Sequence, residues 1–112
     1  MKIIQRQQNK IEIYEVDGEV NFHTSPELRE KLHESLSKQT QRILVNLKRV
    51  KYIDSSGLAT FVEALQKVKK YNGRLVLSEL APAVRSVFEI AKLDGVFSLA
   101  GTQDEAVTIL SA

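Results

Sequence analysis

Between Lys10 and Leu99 the chain repeats one unit, a short apolar run of strand length followed by a helix with one apolar stripe. Lys10 to Val16 carries Ile11, Ile13 and, through a shift, Val16, and closes on Asp17-Gly18. Next comes Thr24-Ser25-Pro26-Glu27, a helix start with proline suited to the first helical position and Thr24 spaced from Glu27 as in a capping box. Leu28, Leu32 and Leu36 then repeat every four residues. Ile43, Val45 and Leu47 mark a buried strand with Asn46 on its other face. A second helix runs from Ser55 to about Tyr71 on Leu58, Phe61, Val62, Leu65 and Val68, and Asn72-Gly73 ends it. Arg74 to Ser78 reads as a strand, Ala81-Pro82 to about Asp94-Gly95 as a helix, Val96 to Leu99 as a strand, and Gln103 onward as a last helix. Met1 to Gln7 can add an antiparallel edge. Strand, helix and strand in succession imply parallel pairing through right-handed crossovers. The expected fold is a single α/β domain over residues 1–112. It is a mixed, mostly parallel sheet of four or five strands with about four helices packed mainly on one face.

With 112 residues, 43% hydrophobic and 27% charged, the chain suits one soluble core. The net charge of +2 comes from interleaved signs. Lys67, Lys69 and Lys70 read as a solvated helix end and not as a nucleic-acid stripe. No cysteine is present, which removes thiolate chemistry and sulfur-ligated metals and agrees with a reducing cytoplasm. Met1 to Gln8 lacks the apolar stretch of a signal peptide, and no run approaches a membrane span. The expectation is a cytoplasmic protein with no membrane or nucleic-acid partner.

One turn carries possible chemistry. Asp54-Ser55-Ser56-Gly57 lies where a strand hands over to the second helix, and free amides with the positive end of the helix dipole favour an anion there. Asp54 or Ser55 can simply cap the helix. Gly57, in the first turn, costs about 1 kcal/mol relative to alanine, which close approach of another molecule to the backbone would explain. A hydrolase elbow needs Gly-x-Ser-x-Gly, but Ile53 stands in the glycine position for Ser55 and Asp54 for Ser56. His23 and His33 are ten residues apart and suggest no metal site. No phosphate-cradling glycine loop occurs. Catalytic, cofactor and metal residues are therefore expected to be none.

Asp54-Ser55-Ser56-Gly57-Leu58 resembles the phosphorylation motif of the STAS-domain family, in its bacterial anti-sigma factor antagonist branch. Gly18-Glu19-Val20-Asn21 with Thr24 resembles that family's earlier loop, and Ala81-Pro82-Ala83-Val84-Arg85 and Leu93-Asp94-Gly95-Val96-Phe97 resemble its third helix and the following turn. The resemblance spans nearly the whole chain. It implies a switch: the unphosphorylated protein binds an anti-sigma factor that is also a serine kinase, and a sigma factor is freed. Phosphorylation of the first serine, here Ser55, then ends the complex, and a serine phosphatase reverses it. The same resemblance allows an alternative, a STAS interaction subunit of a transport or signalling complex that does not use Ser55. Asn21 replaces the family's usual aspartate, and Ala59 a common second glycine.

Loops after the carboxyl ends of parallel strands gather on one edge of a sheet. The expected partner surface therefore combines Asn21, Phe22, His23 and Thr24 with Asp54, Ser56, Gly57 and Leu58 around Ser55. Phe22 is either an exposed anchor there or a staple beneath the first helix. The free protein is expected to be a monomer or a weak dimer.

Overall fold

Asn9 and Lys10 both adopt left-handed backbone angles, φ 54° and 63°, as a two-residue hairpin turn of the favoured twist requires. The computed structural model, which describes residues 1–112, therefore opens with a hairpin, β1 (Lys2–Gln8) against β2 (Ile11–Asp17), antiparallel from Lys2↔Asp17 to Gln8↔Ile11. The Asp17-Gly18 pair makes no hairpin. Gly18, at φ 122°, turns the chain off the end of β2 instead.

β3 (Arg42–Arg49), β4 (Arg74–Ser78) and β5 (Ser98–Ala100) extend the sheet in parallel, in the order β1-β2-β3-β4-β5. The crossover helices are α1 (Ser25–Ser37), α2 (Ser55–Lys70) and α3 (Pro82–Ile90). Each crossover steps to the neighbouring strand in one direction, and right-handed steps of that kind place all their helices on one face. α4 (Gln103–Ser111) follows β5 and covers the opposite face.

Two cores result. Tyr14, Val16, Ile43, Val45, Leu47, Leu75 and Leu77 of the sheet meet Leu28, Leu32, Phe61, Leu65, Val68, Val84 and Phe88 from α1 to α3. On the other face Ile11, Ile13, Leu44, Val76 and Ala100 lie under Ala106 and Leu110 of α4. β2 thus serves both faces, which is why its apolar residues do not alternate cleanly.

Two boundaries differ from the sequence reading. α3 stops at Ile90, short of Asp94-Gly95, because Lys92 turns left-handed (φ 60°) while the Leu93 amide donates back to the Phe88 carbonyl. β5 begins at Ser98, since the amides of Val96 and Phe97 still donate to the Leu93 carbonyl. Phe97 is buried edge-on against Phe88, ring centres 5.3 Å apart.

Candidate functional site

The loops leaving β2 and β3 are stitched together by a short parallel bridge. The Val20 amide donates to the Tyr52 carbonyl (3.0 Å), and the Asp54 amide to the Val20 carbonyl (3.1 Å). Val20 and Ile53 are buried, so the bridge is anchored in the core. This brings Asn21 to Thr24 beside Asp54 to Leu58.

Asp54 is the cap of α2. Its extended backbone (φ −109°, ψ −173°) leaves the helix, and Oδ1 accepts from the amides of Ser56 (2.9 Å) and Gly57 (3.1 Å). Oδ2 accepts from the Phe22 amide at 3.1 Å. Ser55, at the first helical position, is exposed and its hydroxyl takes no part in these bonds. Ser56 is half-buried, and its carbonyl accepts from the Thr60 hydroxyl.

The neighbouring loop is organised by Asn21. Its Oδ1 accepts from the amides of His23 (2.9 Å) and Thr24 (3.1 Å), and its Nδ2 donates to Glu19 (3.2 Å). Thr24 donates its hydroxyl to the Glu19 carbonyl (2.7 Å) and accepts from the Asn21 amide (2.9 Å). That engagement corrects the capping-box reading: the Thr24 oxygen is spent on the loop, and α1 has no side-chain cap bond.

Phe22 stands 70% exposed, which excludes the staple, and the His23 ring meets it edge-on at 5.7 Å. Tyr52, 51% exposed, is a second exposed aromatic beside the turn and was not among the sequence candidates. Its signal was available, since Ile53 points inward and alternation turns Tyr52 out. Leu58 packs partly against the core.

Gly57 requires a correction. A Cβ there would lie 2.6 Å from Val20 Cγ1, 2.8 Å from the Val20 carbonyl oxygen and 2.9 Å from Ile53 Cγ1. The backbone approach that demands glycine comes from within the chain, and Gly57 is buried. It shapes the turn and is not itself a contact surface.

Beside the turn, a groove of about 550 Å³ runs between α1 and α2, lined by Ser56, Thr60, Arg29 and His33 among others. Glu63 in it accepts from Lys67 (2.9 Å) and Arg29 (3.0 Å), and these cations hold its carboxyl below the usual range, the Lys67 bond first. His33 lies in this groove, whereas His23 lies on the loop beside Phe22. No helix is long and apolar enough to cross a membrane.

The STAS domain family model matches residues 2–106, and the chain belongs to that family. It is 32% identical over 104 residues to the anti-sigma-B factor antagonist of Bacillus subtilis, covering 93% of this chain and 94% of that protein. The fold is shared with an anti-sigma factor antagonist from Mycobacterium paratuberculosis (TM-score 0.92, 22% identity, 99% of this chain and 94% of that one). It is shared too with the phosphorylated form of the Bacillus cell fate determinant SpoIIAA (TM-score 0.76, 22% identity, 96% and 98%).

Proposed function

We propose that this chain is an anti-sigma factor antagonist that switches partners through the phosphorylation state of Ser55. In its unphosphorylated form it binds an anti-sigma factor that is also a serine kinase, so that a sigma factor is released. Phosphorylation at Ser55 ends that complex, and a serine phosphatase restores it. The protein acts in the cytoplasm as a binding regulator and not as a catalyst, since neither serine has the glycine elbow of a hydrolase. The whole chain, 1–112, serves as the STAS unit, and Asn21, Phe22, His23, Thr24, Tyr52, Asp54, Ser56 and Leu58 form or frame the partner surface.

The observation that carries this reading is the setting of Ser55. It is an exposed hydroxyl at the amino end of a 16-residue helix whose cap is supplied by the preceding aspartate. The hydroxyl is free to receive a phosphoryl group, and the helix end tolerates the resulting charge of about −1.5 to −2 without unfolding. Against a packed partner the same group adds bulk, a desolvation demand and repulsion from any facing carboxylate. Losing about 2.7 kcal/mol of binding weakens a complex roughly a hundredfold. Ser56 faces the α1–α2 groove and is the less accessible acceptor.

The test is incubation with ATP and each anti-sigma-type serine kinase of the same genome, followed by sequencing of the tryptic peptide from Tyr52 to Lys67. Phosphate on Ser55, absent from Ser55→Ala, is expected. Phosphate on Ser56 at an undiminished rate in Ser55→Ala would overturn the assignment.

A further inference from the structure

We infer that Asp54 is the positioning residue for Phe22, and that a carboxylate stands there because both of its oxygens are used. The inference rests on the partner reading above and deepens it by naming what readies the exposed aromatic for docking.

Capping a helix takes one oxygen, and serine, threonine or asparagine would serve. Oδ1 alone does that work at α2, accepting from Ser56 and Gly57. Oδ2 turns the other way and accepts from the amide of Phe22, 32 positions earlier in the chain. The amides around it are held differently. Val20 donates to the Tyr52 carbonyl, Asn21 to the Thr24 hydroxyl, His23 to the Asn21 side chain, and Thr24 and Ser25 to the Asn21 carbonyl. From Val20 to Ser25, only the Phe22 amide depends on a side chain from outside its own loop.

Phe22 also has little packing of its own, 70% exposed with the His23 ring edge against it. An exposed aromatic on a wandering loop loses backbone freedom when it docks, and fixing the backbone beforehand lowers that cost. The anchor of Phe22 is thus one residue away from the proposed phosphoacceptor.

Asparagine at position 54 separates the two tasks. Its single oxygen is retained by the two helix amides, and its NH₂ then faces the Phe22 amide, donor against donor. In amide exchange on the full chain, Asp54→Asn should speed exchange at Phe22 by roughly tenfold or more, the scale of a lost bond to a charged acceptor, with Ser56 and Gly57 unchanged. Asp54→Ser, a different one-oxygen cap, should do the same. Unchanged exchange at Phe22 in both variants would overturn the inference.

Binding to the kinase that phosphorylates Ser55 gives the second readout. Asp54→Asn should weaken it and add nothing to the loss caused by Phe22→Ala. Additive losses would overturn the inference by making Asp54 an independent contact, and so would Phe22→Ala binding as tightly as wild type. Absence of Ser55 phosphorylation by any of the kinases would instead overturn the functional reading, and it is seen separately in the phosphopeptide.

Discussion

Three side-chain positions decide the local geometry of the turn, and they were legible to different degrees. Asp54 was readable as a cap because aspartate before a helix start has few better uses. What composition could not reveal was its second oxygen, whose partner lies on another loop. Gly57 was readable as anomalous but not as to cause, since the atoms that crowd it, Val20 and Ile53, are brought there only by the bridge. Gly57→Ala should therefore destabilise the fold by about 1–3 kcal/mol through overpacking, despite the better helix propensity of alanine. Chemical denaturation of the two proteins measures this, and an unchanged or higher midpoint would contradict it. At Asn21, the amide keeps the acceptor role an aspartate would have and adds a bond to Glu19 that an aspartate could not make.

At the scale of elements, the same helix ending is used three times without glycine at the left-handed position. Gln39, Asn72 and Lys92 (φ 55°, 62° and 60°) follow α1, α2 and α3, and the next amide reaches back to the carbonyl of Ser35, Val68 or Phe88. A reader looking for glycine finds Asn72-Gly73 and Gly95, and so places the end of α3 too late. The antiparallel edge expected from Met1 to Gln7 is present as β1, but its turn at Asn9-Lys10 was not placed for a related reason, because Lys10 is an unusual residue at positive φ. Replacing Lys92 with glycine removes that strain and should stabilise the protein by up to about 1 kcal/mol, measurable as a raised denaturation midpoint. A lowered midpoint would show that the Lys92 side chain matters more than its backbone.

Two tyrosines also join elements. Tyr14 of β2 donates to the Lys31 carbonyl and pairs with the Ser35 hydroxyl on α1, while Tyr71 donates to the Thr40 carbonyl. Burial disfavours the phenolate and raises the pKa of both above the ordinary value of 10.0. Their contribution is full below the unfolded value and is lost as pH rises through the higher folded values. Stability should accordingly fall above pH of about 10, and less steeply in Tyr14→Phe. A wild-type slope in that variant would exclude Tyr14 as a source.

For the whole molecule, topology explains why the architecture was legible and the site only partly so. Repeated strand and helix lengths imply sequential crossovers, and those place α1, α2 and α3 together over one face. Only α4 takes the other face, where Ala106 and Leu110 are buried. The same topology sends the loops after β2 and β3 to one edge, so Asn21–Thr24 and Asp54–Leu58 could be grouped from the sequence. Strand alternation could have shown Tyr52 turned outward, whereas the choice between anchor and staple for Phe22 needed the three-dimensional fold, which leaves that ring exposed. The central claim is that one phosphoryl group on this edge controls binding without remodelling the fold. Calorimetric titration of the anti-sigma kinase with unphosphorylated and Ser55-phosphorylated protein, each checked for an unchanged thermal melt, tests it most directly. A loss of affinity of roughly a hundredfold is expected, with the fold intact. Equal affinities for the two forms would contradict it.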